Sequence, residues 1–196
     1  MSNSNVHNSA PMNLQELIKG CERSDKDSQR ELFDLFKDSM MSLCLRYAKS
    51  EQQATEIFKE GFVSVFNNIK NISEQQLESW VRKTMINAAI DVLRRNKQEY
   101  KIVSTVNAYD NINQEDKIVD QEVTRTMDGN DVLKAMQALT PAYRVVVNMH
   151  LVDDYSIKQI SEKLDVGEAT IRLNFEKAMH QIRKNIVQLT TVGNAE

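Results

Sequence analysis

Residues 140–184 read TPAYRVVVNMHLVDDYSIKQISEKLDVGEATIRLNFEKAMHQIRK, and this stretch decides the fold. Ser156 with Gln159 forms a capping box, which predicts a short helix over Ile157–Leu164. Val166–Gly167 makes the turn, and a longer helix runs from about Ala169. Ile160, Leu164, Val166 and Ile171 fall where two short, steeply crossing helices need apolar contacts. The pattern is that of a helix-turn-helix. Its second helix keeps one face free, and such a face can lie in a major groove. Just upstream, Thr140–Pro141 supplies a cap and a first helical residue for another helix. Asp131 opens a further one through Ala138.

Moving back along the chain, helix signals recur. Asn13 with Glu16 starts a short helix to about Cys21. Leu32, Leu35, Phe36, Met40, Leu43 and Tyr47 repeat at helical spacing between Ser28 and Tyr47. Ala54, Ile57, Phe58, Gly61, Phe62, Val65, Phe66 and Ile69 form a broader stripe, which implies packing against more than one neighbour. Gly61 lowers helix propensity there, and close approach of another helix is the expected reason. Ser73 with Gln76 caps a fourth helix ending near Lys97. Residues 100–129 show no sustained period and are rich in Asn, Asp and Thr, which reads as a linker with at most a short helical stretch.

The expected fold is therefore all-α: two small helical domains joined by a linker, with a C-terminal helix-turn-helix. The boundaries read as a tail and short helix over 1–24, a helical domain over 25–99, an acidic linker over 100–129 and the helix-turn-helix domain over 130–190. Composition agrees. Gly (5) and Pro (2) are scarce among 196 residues, which disfavours turn-rich β structure. No apolar run approaches the roughly 20 residues needed to cross a membrane, so no insertion is expected. The opening MSNSNVHNSAPMN is polar and unlike a signal peptide. Cys21 and Cys44 lie far apart and match no metal spacing, so reduced thiols and a cytoplasmic location are expected. His7, His150 and His180 are scattered, which predicts no metal site, and no cofactor is called for. Neither a Ser/His/Asp set nor a glycine-rich phosphate loop is visible, so no enzymatic activity is expected.

Net charge is −3, which excludes a general nucleic-acid coater. The acidic excess is local. Residues 1–100 balance 14 basic against 14 acidic side chains, while residues 101–131 carry a net −4. Both flanking parts can still present basic faces. On the fourth helix, Leu77, Val81, Met85, Ala88 and Val92 share one side, and Lys83, Asn87, Asp91 and Arg94 share another with Trp80 at its margin. Cations for phosphates, an amide for a base edge and an indole for an unstacked base suit nucleic acid. The same pattern also fits a solvated helix face with Trp80 in the core. Arg94–Arg95–Asn96–Lys97 is equally a basic cluster and macrodipole compensation.

Three stretches, in this order and with this gap, resemble a sigma factor of bacterial RNA polymerase, of the small extracytoplasmic-function type in the sigma-70 family. QATEIFKEGFVSVF is similar to the family's polymerase-binding helix, and SWVRKTMINAAIDVLRRNK to its minus-ten recognition helix. LTPAYRVVVNMHLVDDYSIKQISEKLDVGEATIRLNFEKAM is similar to its minus-thirty-five module. The resemblance covers roughly residues 25–190. It implies a factor that binds core RNA polymerase and directs initiation at promoter DNA. The polymerase then carries out catalysis.

The resemblance also assigns residues. Trp80, Lys83, Asn87, Arg94 and Arg95 become minus-ten contacts, with Trp80 also a packing residue and Asp91 a partner for a neighbouring cation. Residues 71–79 match the loop that captures a flipped base, at a few kcal/mol of unstacking. Glu168, Thr170, Arg172, Asn174 and Lys177 form the minus-thirty-five side. Asn174 and Met179 stand where Arg is frequent, which implies a shallower salt dependence. Glu56, Lys59 and Glu60 match the polymerase surface, with Glu56 and Lys59 replacing the usual Asp and Gln. A regulatory protein of anti-sigma or response-regulator type is implied as a further partner. Two rival readings remain open on the residues alone: a stand-alone helix-turn-helix regulator, and a sigma-like interaction protein that directs no transcription.

Overall fold

A computed structural model describes residues 13–95 and 129–192. The expected linker up to residue 128, the end of the fourth helix near Lys97 and the polar tail before Asn13 lie outside those residues. Every regular element among the described residues is helical. The first four are α1 (Leu14–Glu22), α2 (Lys26–Tyr47), α3 (Glu51–Asn68) and α4 (Glu74–Arg95). They are followed by α5 (Gly129–Gln137), α6 (Pro141–Val147), α7 (Ile157–Leu164) and α8 (Glu168–Val192).

Starts are set by side chains that accept from otherwise orphaned helix amides. Asn13 Oδ1 accepts from the amides of Gln15 and Glu16, and Asp25 Oδ2 from that of Ser28. Ser50 does the same for Gln53 and Thr140 for Tyr143. The box at α7 is complete: Gln159 donates its amide to Ser156 Oγ at 3.2 Å, and Ser156 donates its own to Gln159 Oε1 at 2.8 Å.

α1 to α4 form the first domain. Leu17, Ile18 and Cys21 of α1 are buried in its core, so the short helix belongs to this domain rather than to a preceding tail. Leu32, Phe36, Met40, Leu43 and Tyr47 line α2 as the period predicts, whereas Leu35 falls off the stripe and is exposed. Phe33, Phe58, Phe62 and Phe66 pack ring to ring, with centroids 4.8–5.8 Å apart from one member to the next. Gly61 answers to its expected purpose. A Cβ there would lie 2.0 Å from Met85 Sδ on α4, so only hydrogen lets α3 and α4 come this close.

In the second domain α6 does not stop at Val147 but widens into a π-helical turn over Asn148–Val152, which periodicity did not signal. α7 has the predicted bounds. The residue that reverses the chain after it is Asp165, in the left-handed region at φ 56°, while Gly167 has no positive φ. Ser161 Oγ donates to the Val166 carbonyl at 2.6 Å and so fixes this turn. Ile160, Leu164 and Ile171 are buried at the crossing of α7 and α8.

Candidate nucleic-acid and polymerase interface

On α4 the helical period separates two sides. Val81, Met85, Ala88, Ala89 and Val92 are buried, and Lys83, Asn87, Asp91, Arg94 and Arg95 are exposed. Trp80 is half-buried and packs on the core, as a margin residue should. The exposed side thus keeps three cations and one amide on a rigid helix, where phosphate and base-edge contacts need them. Arg95 is also engaged. Its guanidinium donates to Glu60 Oε1 at 2.5 Å and lies 3.7 Å from Glu56 Oε1. The hydrogen bond to Glu60 raises Arg95 above its ordinary pKa, with Glu56 and Asp91 adding to it. Two acids expected at the polymerase surface are therefore tied to a cation expected on promoter DNA. Lys59, the third residue of that surface, is exposed on α3.

On α8, Glu168 and Arg172 are exposed and form an i,i+4 pair at 3.7 Å, while Thr170 and Lys177 are half-exposed. Asn174 does not join them. It is 0 % exposed, between Ile171 and Ala178 on the buried stripe, and both its amide atoms lack a hydrogen-bond partner. The expectation of Asn174 on the DNA side is thus corrected. The i, i+3, i+7 spacing from Ile171 carries position 174 inward. His150 is half-buried, with Nδ1 2.8 Å from the Tyr155 carbonyl and its ring edge-on to Phe175.

Sequence reasoning missed a polar seam between the domains. Asp153 follows the π-helical turn, and its side chain is 1 % exposed. It meets the Arg82 guanidinium, accepts from Tyr47 Oη at 2.6 Å, and lies 3.7 Å from Arg46 Nη2. Burial, with Asp153 beside it, pushes Tyr47 well above the usual phenol range. Burial also lowers Arg46, against the pull of Asp153. The last carbonyls of α2 are taken as well. Leu45 O accepts from Gln137 Nε2 (3.3 Å), Arg46 O from Asn148 Nδ2 (2.8 Å) and Tyr47 O from Arg144 Nη1 (3.2 Å). The one available signal was Arg144 inside the apolar run of PAYRVVV, where a solvated cation has no place.

The comparisons match this layout. Residues 32–99 match sigma-70 region 2, and residues 129–182 match sigma-70 region 4. The chain belongs to the sigma-70 family. It is similar to the extracytoplasmic-function (ECF) RNA polymerase sigma factor SigW of Bacillus subtilis, with 24 % identity over 190 residues, covering 91 % of this chain and 99 % of that protein. It is also similar to the ECF RNA polymerase sigma factor SigE of Mycolicibacterium smegmatis, with 24 % identity over 153 residues, 78 % of this chain and 59 % of that protein. The RNA polymerase sigma factor SigV of Bacillus subtilis is 21 % identical over 155 residues, 79 % of this chain and 86 % of that protein. Region 2 thus ends with α4 and its polar side, and region 4 contains the helix-turn-helix. Among the described residues no helix is long and apolar enough to cross a membrane, and no cluster of metal-ligating side chains occurs.

Proposed function

We infer that this chain is an extracytoplasmic-function sigma factor that binds core RNA polymerase and directs promoter-specific initiation of transcription. The observation that carries this reading is the pairing of region 2 and region 4 in one chain. The exposed Lys83–Asn87–Arg94 side of α4 supports it. Lys83, Arg94 and Arg95 meet phosphates of the minus-ten strand, Asn87 reads a base edge, and Trp80 braces the helix from the core side. Residues 71–79 hold the flipped base. On the upstream element, Arg172 is the base or phosphate contact of α8, Lys177 a phosphate contact, and Glu168 and Thr170 border the groove. Glu56, Lys59 and Glu60 face the polymerase. The chain itself performs no catalysis and works in the cytoplasm. A regulatory protein of anti-sigma or response-regulator type controls its access to polymerase.

Run-off transcription by core polymerase on fragmented DNA from the source organism tests this reading. New discrete transcripts should require the protein and vanish in the Asn87→Ala/Arg94→Ala double variant. Polymerase binding without any transcript would instead support a sigma-like interaction protein.

A further inference from the structure

The chain reverses between α3 and α4 over residues 69–73. Its two apolar residues are held by the core: Ile69 is buried, and Ile72 packs against the interior of α1–α4. Between them stands Asn71, exposed and in the left-handed region at φ 56°. Asparagine is one of the few residues besides glycine that enter this region at modest cost. Several bonds of the turn are short-range. Lys70 donates its amide to the Asn68 carbonyl at 2.8 Å, Gln76 its amide to the Ser73 carbonyl at 3.0 Å, and Ser73 Oγ donates to Gln76 Oε1 at 3.1 Å. Asn71 is tied from much further away. Its N–H donates to Glu22 Oε1 at 2.8 Å, across 49 residues of sequence.

Glu22 is the last residue of α1, and Leu17, Ile18 and Cys21 sink that helix into the core. The carboxylate is therefore carried on a rigid element rather than on a loop. Helix stability does not account for it, because an acid at the C-terminal end faces the negative end of the macrodipole. Packing does not account for it either, since Glu22 is exposed. The bond to Asn71 does, and an ionised acceptor makes that bond stronger than a neutral one would. The match to region 2 begins at residue 32, so Glu22 precedes the part of the chain that the match covers. Under the promoter reading, Asn71 opens the segment that receives a flipped base. Unstacking a base costs free energy, and a pocket returns more of it when none is spent on ordering the pocket itself. An exposed left-handed residue with an unheld N–H has other conformations open to it. The bond from α1 removes that freedom before DNA arrives.

We propose that Glu22 is a positioning residue for base capture: from the end of α1 it holds the Asn71 N–H, and with it the mouth of the 71–79 loop, in the form that admits the flipped base. Glu22 touches no DNA and acts through Asn71. This role rests on the promoter reading of the loop, whereas the tether between Glu22 and Asn71 does not. What the tether needs is an acceptor at that reach. Glutamine therefore serves in place of Glu22, and alanine does not.

Two measurements on the full chain, each comparing the native protein with Glu22→Ala and Glu22→Gln, test this. Amide hydrogen exchange followed by NMR reads the tether. Asn71 should exchange about tenfold faster in Glu22→Ala and near the native rate in Glu22→Gln. The buried amides of α3 and α4 and the thermal midpoint should stay put in both, because Glu22 is exposed. An Asn71 rate that is the same in Glu22→Ala as in the native chain would overturn the tether. The second measurement uses holoenzyme formed with core polymerase. It is titrated with a dye-labelled single strand carrying the minus-ten element of a promoter mapped by run-off transcription, and with that strand made abasic at each position in turn. In the native holoenzyme one abasic position marks the captured base; if none does, the loop captures no base and the role falls. Glu22→Ala should weaken the intact strand about tenfold and leave the affinity for the marked abasic strand unchanged, whereas Glu22→Gln should stay within about twofold of native throughout. Equal weakening of the intact and abasic strands by Glu22→Ala would overturn positioning, because a general defect is blind to which base is missing. Glutamine as weak as alanine would overturn it too, by assigning the effect to charge. A native holoenzyme that makes no transcript would remove the promoter reading and this role together, and the exchange rate at Asn71 would then decide the tether alone.

Discussion

The two domains are built on different principles. In the first, the buried interior is almost wholly apolar: Leu32, Leu43, Ile57, Ile69, Leu77, Met85, Ile86 and Leu93 are all below 2 % exposure. Among the described residues Gln53 is its one buried polar side chain besides the Tyr47 phenol, and it accepts from the Lys49 amide at 2.8 Å. The second domain buries Arg144, Asn148, Asn174 and Asn185. Arg144 Nε and Nη2 donate to the carbonyls of Met136, Gln137 and Leu139, and so close the C-terminal end of α5. Asn185 Nδ2 donates to the Ala135 carbonyl and ties α8 to the same helix. Nonpolar packing is tolerant of small shifts, whereas hydrogen-bonded cores demand every partner. The comparison teaches that the first domain is ordered inside by apolar packing, while the second relies on buried hydrogen bonds, some of them shared with the end of α2.

The largest test of that difference is Arg144→Ala. It orphans carbonyls at the ends of two helices and should cost about 3 kcal/mol. Hydrogen exchange should speed up in α5 and α6 while α3 and α4 keep their protection. Lysine should not restore it, because a point charge cannot reach several carbonyls in one plane. The reverse experiment is Gly61→Ala. Its methyl would collide with the buried Met85 thioether, and the expected loss is about 2 kcal/mol, confined to α1–α4. Equal loosening of both domains by either variant would break the comparison.

Two smaller changes sharpen it. Asn174→Leu replaces an unpaired buried amide by an apolar group of similar size and should stabilise the second domain by about 1 kcal/mol. A lower melting temperature would mean that the amide has a partner essential to the fold. Asp165→Gly removes the cost of a side chain in the left-handed turn and should add about 0.5 kcal/mol, seen as a small rise in thermal midpoint. Neither change touches the first domain, whose melting should stay put.

Much of this architecture was legible in the residues because its signals are local. Asn13, Thr140–Pro141 and the Ser156/Gln159 box mark helix starts by groups that act within three positions. The Gly61 notch could be inferred because a glycine inside an apolar stripe has few other purposes. The exposed side of α4 followed from period alone. What stayed hidden depends on distant partners. The π-helical turn at Asn148–Val152 lies where Asn148 reaches back to α2 and Asp153 finds its two arginines. Asp153–Asp154 reads as a solvated loop until the first domain is set beside it. Asn174 was misplaced because an amide on a helix expected to face DNA suggests contact, although its register points inward. Arg95 was assigned to DNA without its bond to Glu60, since 35 residues separate the two.

One consequence of the α2 carbonyl seam concerns sequence drift. The acceptors at Leu45, Arg46 and Tyr47 belong to the main chain, so they persist whatever side chains come to stand there. The donors are side chains of Gln137, Asn148 and Arg144, and each can be lost by a single codon change. Along this row of carbonyls, heritable variation is therefore concentrated on one partner, whereas the Asp153 cluster draws side chains from both halves. A change at any of three positions of the C-terminal half weakens this row, while the main-chain acceptors of the N-terminal half stay in place.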